Sequence, residues 1–162
     1  MSRLDSAIRR LQAQRACLDT AAGMITAMPG IVLELGLGNG RTFDHLRSRL
    51  PGRDIYVFDR QMAAHPDCIP RDDHLFLGDL AETLPQAAAR LGRTAALVHS
   101  DIGSGDEAMN RAIAALISRL LPPLLAPGAI ILSDQALTLD AAPLKLPDSV
   151  APGRYHMMRV RG

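Results

Sequence analysis

The sequence predicts an α/β chain built on a doubly wound, mostly parallel sheet of about six to seven strands. Three observations predict it. Short β-rich apolar runs recur along the chain, each followed by a glycine or an acidic residue and then by a helical stretch. A glycine loop, Gly36-Leu37-Gly38-Asn39-Gly40, stands between the first run and the helix after it. The four runs after the first end on Asp59, Asp79, Asp101 and Asp134, which sets carboxylates along the carboxyl edge where open parallel sheets bind ligands.

The elements follow in order. Leu4, Ile8, Leu11, Leu18, Ala22 and Ile25 recur at helical spacing over Ser2 to Met28, with Ser2 and Asp5 as an N-terminal cap and Pro29-Gly30 as the stop. Arg3, Arg9, Arg10 and Arg15 lie on its other side as a solvated face. The first strand is Ile31 to Leu35, and the helix after the glycine loop runs from Arg41 to Leu50. The second strand is Ile55 to Phe58 and the third His74 to Leu77, followed by a helix from Thr83 to Leu91 with Pro85 in its first turn. The fourth is Ala95 to Ser100. Asp106 caps a helix through about Leu121, with Ala108, Ala112, Ile113, Leu116 and Leu120 on one face, and Pro122-Pro123 ends it. The fifth strand is Ala129 to Ser133. Gln135 to Pro152 contains three prolines and no helix pattern, and Arg154 to Val160 is a candidate last strand, so the sheet should end short on this side.

Residues 1–162 thus read as one domain: a helix over 1–28, a core over 31–134 and a short tail over 135–162. At 162 residues a single core buries roughly 70% of the surface of the unfolded chain, and neither disulfides nor metals are needed to hold it. Cys17 and Cys68 lie far apart without ligand spacing, as in a reducing compartment. The longest uncharged stretch, Leu120 to Ser133, carries Pro122, Pro123, Pro127 and Gly128 and falls short of the about 20 apolar residues of a membrane span. The amino-terminal residues lack the apolar region of a secretory signal, so the cytoplasm is the compartment expected. A net charge of +1 and an aromatic content of 3% argue against a nucleic-acid footprint or a base-stacking platform.

The glycine loop lets backbone approach a ligand and presents amides at a helix start, where an anionic group is favoured. A dinucleotide fingerprint needs a glycine at position 41, where this chain has Arg41. Glu34, two residues before the first glycine, would repel a pyrophosphate and suits an amino group or a cation. A nicotinamide-dependent enzyme is therefore disfavoured.

Glu34 with Gly36-Leu37-Gly38-Asn39-Gly40, then Tyr56-Val57-Phe58-Asp59-Arg60, Leu77-Gly78-Asp79-Leu80, Leu97-Val98-His99-Ser100-Asp101-Ile102 and Leu121 to Asp134 occur in one order. In this the chain resembles the class I S-adenosylmethionine-dependent methyltransferases, from about Ile31 to Asp134, which implies their Rossmann-like sheet and S-adenosyl-L-methionine as cofactor. By that resemblance Gly36, Gly38, Asn39, Gly40 and Arg41 hold the methionine portion of the cofactor, and Asp59 accepts from both ribose hydroxyls. Asp79 accepts from the adenine amino group beside Leu80 and Gly78. Arg60 and Ile102 cover the adenine faces, and Glu34 and Asp101 lie toward the methionine end.

Methyl transfer from a sulfonium is an in-line displacement in which the protein mainly aligns the reactants, so the catalytic candidates are few: Asp101, and His99, which shares its parity on the fourth strand. A core histidine is the plainer reading of His99. His156, on the candidate last strand, stands as His99 does, and His45, His65 and His74 read as surface residues. Asp101, Asp134 and Gln135 are similar to the magnesium ligands of catechol-type O-methyltransferases, but Gln135 replaces an asparagine and no lysine follows Asp101, so no metal is assigned. An Asn/Asp-Pro-Pro-aromatic signature of nucleic-acid amino methylation is missing, which leaves a small molecule as the acceptor. The alternative is a non-catalytic cofactor-binding protein or a partner subunit. Nothing in the sequence separates methyl transfer from aminopropyl transfer. With the tail so short, the helix over 1–28, the loop from Gln61 to Asp73 or a second copy of the chain would cover the pocket, and Leu144, Leu146 and Val150 are candidates for an interface in a homo-oligomer.

Overall fold

In the computed structural model, which describes residues 2–162, the chain runs α1 (Arg3–Met24), β1 (Ile31–Leu35), α2 (Arg41–Arg49), β2 (Ile55–Asp59), β3 (Leu75–Leu77), α3 (Leu80–Leu91), β4 (Ala95–Ser100), α4 (Glu107–Leu120), β5 (Leu125–Ser133), β6 (Ala141–Pro143) and β7 (His156–Val160). Among the described residues the strands form one seven-stranded sheet in the order β3-β2-β1-β4-β5-β7-β6. The first five are parallel; β7 is antiparallel to β5 and to β6. Strand order reverses between β1 and β4, where a doubly wound sheet opens a crevice at its carboxyl edge.

Alternating side chains feed two cores. Val32, Val57, Leu97, Ile130 and Leu132 pack under α1 and α2, while Leu33, Phe58, Val98 and Ile131 pack under α3 and α4. Of the tail residues expected at an interface, Val150 is buried within this chain, and Leu144 and Leu146 are half-buried against the first core.

The expected capping box of α1 is present, with Ser2 Oγ accepting from the Asp5 amide at 3.0 Å and Asp5 accepting from the Ser2 amide at 2.9 Å. The helix ends at Met24, earlier than Pro29-Gly30 implies. Arg53 donates to the carbonyl oxygens of Ile25, Met28 and Gly30 beyond it, supplying partners that a helix terminus otherwise lacks. Its buried face is Ala13, Gln14, Cys17, Leu18, Ala21, Ala22 and Ile25; Leu4, Ile8 and Leu11, expected in the core, are exposed. The Cys17 thiol, buried there, is pushed up to about 11 by loss of water.

Four further expectations shift. The helix after β3 begins at Leu80 with Asp79 as its cap, which puts Pro85 beyond the first turn, on the solvent side. The core face of α4 is Ile113, Ala114, Ile117 and Leu120, and Ala108 and Ala112 are exposed, because the bulkier chains take the sheet side. His74 is buried, not at the surface, stacked on Tyr56 at 4.3 Å and bonded to Asp54 at 2.9 Å and Asp73 at 2.8 Å. β5 starts at Leu125, earlier than expected, across a register break opposite Ala95–Leu97.

Candidate active site

The crevice at the β1/β4 reversal is a cavity of about 280 Å³. Gly36, Asp59, Arg60, Gly78, Leu80 and Ile102, all singled out from sequence, line it. Sequence reasoning missed Phe58, Ser104, Met109, Asn110 and Ile113, which complete the wall. Asn110 Oδ1 accepts from the Ser104 amide at 2.7 Å and its Nδ2 donates to the Ser104 carbonyl at 2.8 Å, tying the loop after β4 to α4. The spacing of Met109 and Ile113, one helical turn apart at the start of α4, was the available signal.

The glycine loop is shaped by backbone that side chains would prevent. Gly36 has φ +89°, and a Cβ there would overlap Ile102 Cγ2 and come within 3.0 Å of the Asp101 carbonyl oxygen. We expect Gly36→Ala to cost about 1–3 kcal/mol through the positive φ alone, with the clash added. Gly38→Ala, at φ +52° but facing open space, should cost less. Urea denaturation compares the two, and equal midpoints would refute the close approach.

Asp59 anchors that loop. Its Oδ2 accepts from the amides of Leu37 at 2.9 Å and Gly38 at 3.0 Å, and its Oδ1 from the amide of Arg60 at 2.6 Å. Asp79 does not line the cavity. Its Oδ1 accepts from the Ala81 amide at 2.9 Å, capping α3, and its Oδ2 receives Arg60 at 3.1 Å; the amide bond first, then Arg60, holds its pKa below the usual carboxylate value. Asn39 Oδ1 accepts weakly from the Arg41 amide at 3.3 Å, and Gly40, packed on Cys68, starts α2 with no side-chain cap. The loop over 61–73 leans on this turn through the His65 amide, which donates to the Asn39 carbonyl at 3.1 Å.

Beneath the loop lies a buried polar chain. Glu34 and His99 are both fully buried, with His99 Nδ1 2.7 Å from Glu34 Oε2, while Glu34 Oε1 accepts from Thr42 Oγ1. Burial opposes the imidazolium, but Glu34 and, further off, Asp101 and Asp134 lift the His99 pKa above its ordinary value. This corrects two expectations. Glu34 has both oxygens engaged inside the protein and offers neither directly to a ligand. His99 is enclosed within the sheet and is no general base for a substrate in the cleft.

Asp101 is half-buried, and its Oδ2 accepts from Gln14 Nε2 of α1. Burial, with Asp134 and Glu34 nearby, raises its pKa against the opposing pull of His99 and Arg10. Tyr155, at 6.3 Å ring separation from His99, has its hydroxyl pKa pushed far up by burial. Gln14 was missed, although it is the one amide on the apolar face of α1.

Asp134 Oδ2 accepts from the Gly103 amide at 2.8 Å and from Gln135 Nε2 at 3.2 Å. Asp101 turns to α1 and Asp134 to the loop after β4, and among the described residues no group of three or more His, Cys, Asp or Glu is placed to hold a metal ion. His99 Nε2, Ser100 Oγ and Asp134 Oδ1 are buried without partners at this end of the sheet.

The site fits S-adenosyl-L-methionine on two grounds. Its apolar walls with acceptors at one rim suit an adenosine, and the buried acidic floor suits a sulfonium cation. A family model described as S-adenosyl-L-methionine methyltransferase matches residues 1–160. The chain is similar to the crystal structure of an S-adenosyl-L-methionine methyl transferase from Silicibacter pomeroyi, at 45% identity, covering 100% of this chain and 99% of that one with a TM-score of 0.92. An O-methyltransferase family protein from Burkholderia thailandensis (15% identity, 89% of this chain and 55% of that one, TM-score 0.53) shares the fold. So does bluetongue virus VP4 (17% identity, 91% of this chain and 26% of that one, TM-score 0.58). A search of the curated proteins finds no match. No helix of the described residues is long and apolar enough to cross a membrane. The match over nearly the whole chain, on a sheet whose glycine loop and acidic edge meet at one cleft, makes this protein an enzyme of the S-adenosyl-L-methionine methyltransferase family, with S-adenosyl-L-methionine as its cofactor.

Proposed function

We propose that the enzyme methylates a nucleophilic atom of a small molecule. The observation that supports this best is charge: the cleft of about 280 Å³, which the adenosine of the cofactor would take up, stands in a chain of net charge +1. Near-neutral net charge gives a phosphate backbone little to hold.

When bound, the cofactor supplies the activated methyl carbon. The chain's own residues bind and orient. Leu80, Ile102, Met109 and Ile113 would hold the adenine between apolar walls, and Asp59 would accept from the ribose. The loop amides of Leu37 and Gly38 share Asp59 Oδ2, which would accept from the ribose with its remaining lone pair. The uncapped start of α2 meets the carboxylate of the methionine portion. Asp101 keeps the floor negative, and its Oδ1 takes the proton where the acceptor's nucleophile carries one; its raised pKa moves it toward that task.

Thermal unfolding with S-adenosylmethionine, S-adenosylhomocysteine, NAD and NADH tests the donor site, since a ligand at 100 times its Kd adds about 2.7 kcal/mol. Stabilisation by the first two alone is expected. Release of S-adenosylhomocysteine is then followed with small-molecule pools, RNA, DNA and protein, with Asp101→Asn in parallel. Turnover with a small-molecule pool that Asp101→Asn lowers by roughly a hundredfold or more is expected for an acidic nucleophile. Methyl incorporation into a macromolecule alone would overturn the small-molecule reading.

A further inference from the structure

A groove of about 320 Å³ lies between α1 and α2, on the far side of the glycine loop from the adenosine cleft. We propose that it seats the methyl acceptor, and that the acceptor carries an anionic group, carboxylate or phosphate, on an apolar body. This assignment rests on the small-molecule methyltransferase reading above.

The groove exists because α1 outruns the sheet. Its 22 residues span about 33 Å, whereas β1 with 5 residues spans about 16 Å. The carboxyl end of α1 leads into the start of β1, so its first turns stand beyond the carboxyl edge, where the donor site opens. Burial on α1 begins at Ala13; Ile8 and Leu11, which face the groove, are 44% and 38% exposed. A paired apolar surface at the rim of a donor cleft offers contact to the carbon body of a ligand.

Charge completes the case. No acidic side chain lines the groove, although carboxylates crowd the neighbouring floor. Arg15 and Arg41 line it, and neither makes an ion pair among the described residues, whereas His45 is held by Asp19 at 2.9 Å. At its inner end are Gln14 and Thr42, whose other contacts are Asp101 and Glu34. Gln14 and Thr42 thus stand between the groove and the acidic groups beneath the glycine loop, so the nucleophile of an acceptor anchored on Arg15 has to extend past Gln14 to meet the methyl in line. The division also separates two recognitions by sign, a cationic donor over the acidic floor and an anionic acceptor on the basic rim.

The test is calorimetric titration of the full chain, with and without saturating S-adenosylhomocysteine, using octanoate, octyl phosphate, octanol and octylammonium as probes. At least one anion should bind tenfold or more tighter than octylammonium, and the stronger of the two identifies the anionic group. Arg15→Glu and Ile8→Ser, both at exposed positions, should each weaken that anion tenfold or more while leaving S-adenosylhomocysteine affinity within twofold. Equal binding of octylammonium, no binding of any probe, or indifference to Arg15→Glu would overturn the proposal. So would a dimer by light scattering whose interface hides Ile8 and Leu11. Failure of S-adenosylhomocysteine to bind sinks the donor reading instead, and is read separately in the same titrations.

Discussion

Asp59→Ala should weaken S-adenosylhomocysteine binding by roughly a hundredfold or more. A carboxylate accepting hydrogen bonds contributes about 1.5–3 kcal/mol per bond, and a ribose diol supplies two donors. The substitution also removes the anchor on which the amides of Leu37, Gly38 and Arg60 converge, so the loop that must face the methionine portion loses its position. Asp59→Asn retains one acceptor oxygen and should fall between the two. Isothermal titration decides it, and an affinity within threefold of the wild type would show that Asp59 serves only the free loop. Because Gly38 and Arg60 are exposed, their freed amides can turn to water, and stability should change less than affinity.

Glu34→Ala should destabilise the fold by about 3–5 kcal/mol, since removing one partner of a buried pair leaves His99 and Thr42 facing a hole. Glu34→Gln keeps the shape and should cost less. The pair also sets a pH dependence. His99 has a folded-state pKa raised above its ordinary 6.5, so its contribution is complete below about pH 6.5 and is lost as pH rises through the raised value. The thermal midpoint of the wild type should fall over that interval, and in Glu34→Gln this slope should flatten. Asp101, also raised, acts with the same sign, but its window opens at the acid end, above 3.8. An unchanged slope in Glu34→Gln would refute the pairing. Urea unfolding across the pH range measures both effects.

The parallel half of the sheet was legible because its signals are local. A strand end followed by glycine or aspartate is written in two or three residues, and β1 and β4 match the expected spans from end to end. What the sequence hid depends on distance between elements. Periodicity placed Leu4, Ile8 and Leu11 in a core, since it records a helix face and not where the sheet beneath it stops. His74 reads as polar and terminal, yet the ring of Tyr56 on the neighbouring strand covers it. Glu34 and His99 were each visible as candidates, but their pairing follows only from the register that sets them side by side on β1 and β4. Gln14 found Asp101 across 87 positions of chain, a contact that no spacing rule contains.

The borders of the sheet carry a last consequence. Strands β3 and β6, at its two ends, have three residues each, and β6 closes on Pro143, which has no amide hydrogen to donate. Neither border offers the long, flat row of unpaired amides and carbonyls on which another chain could template itself. The buried central strands are rich in the β-branched and leucine residues that drive amyloid-like stacking, and these short borders shield them in the native state. Edge-to-edge pairing is thereby blocked in the folded enzyme, and aggregation by that route should be governed by how often it unfolds.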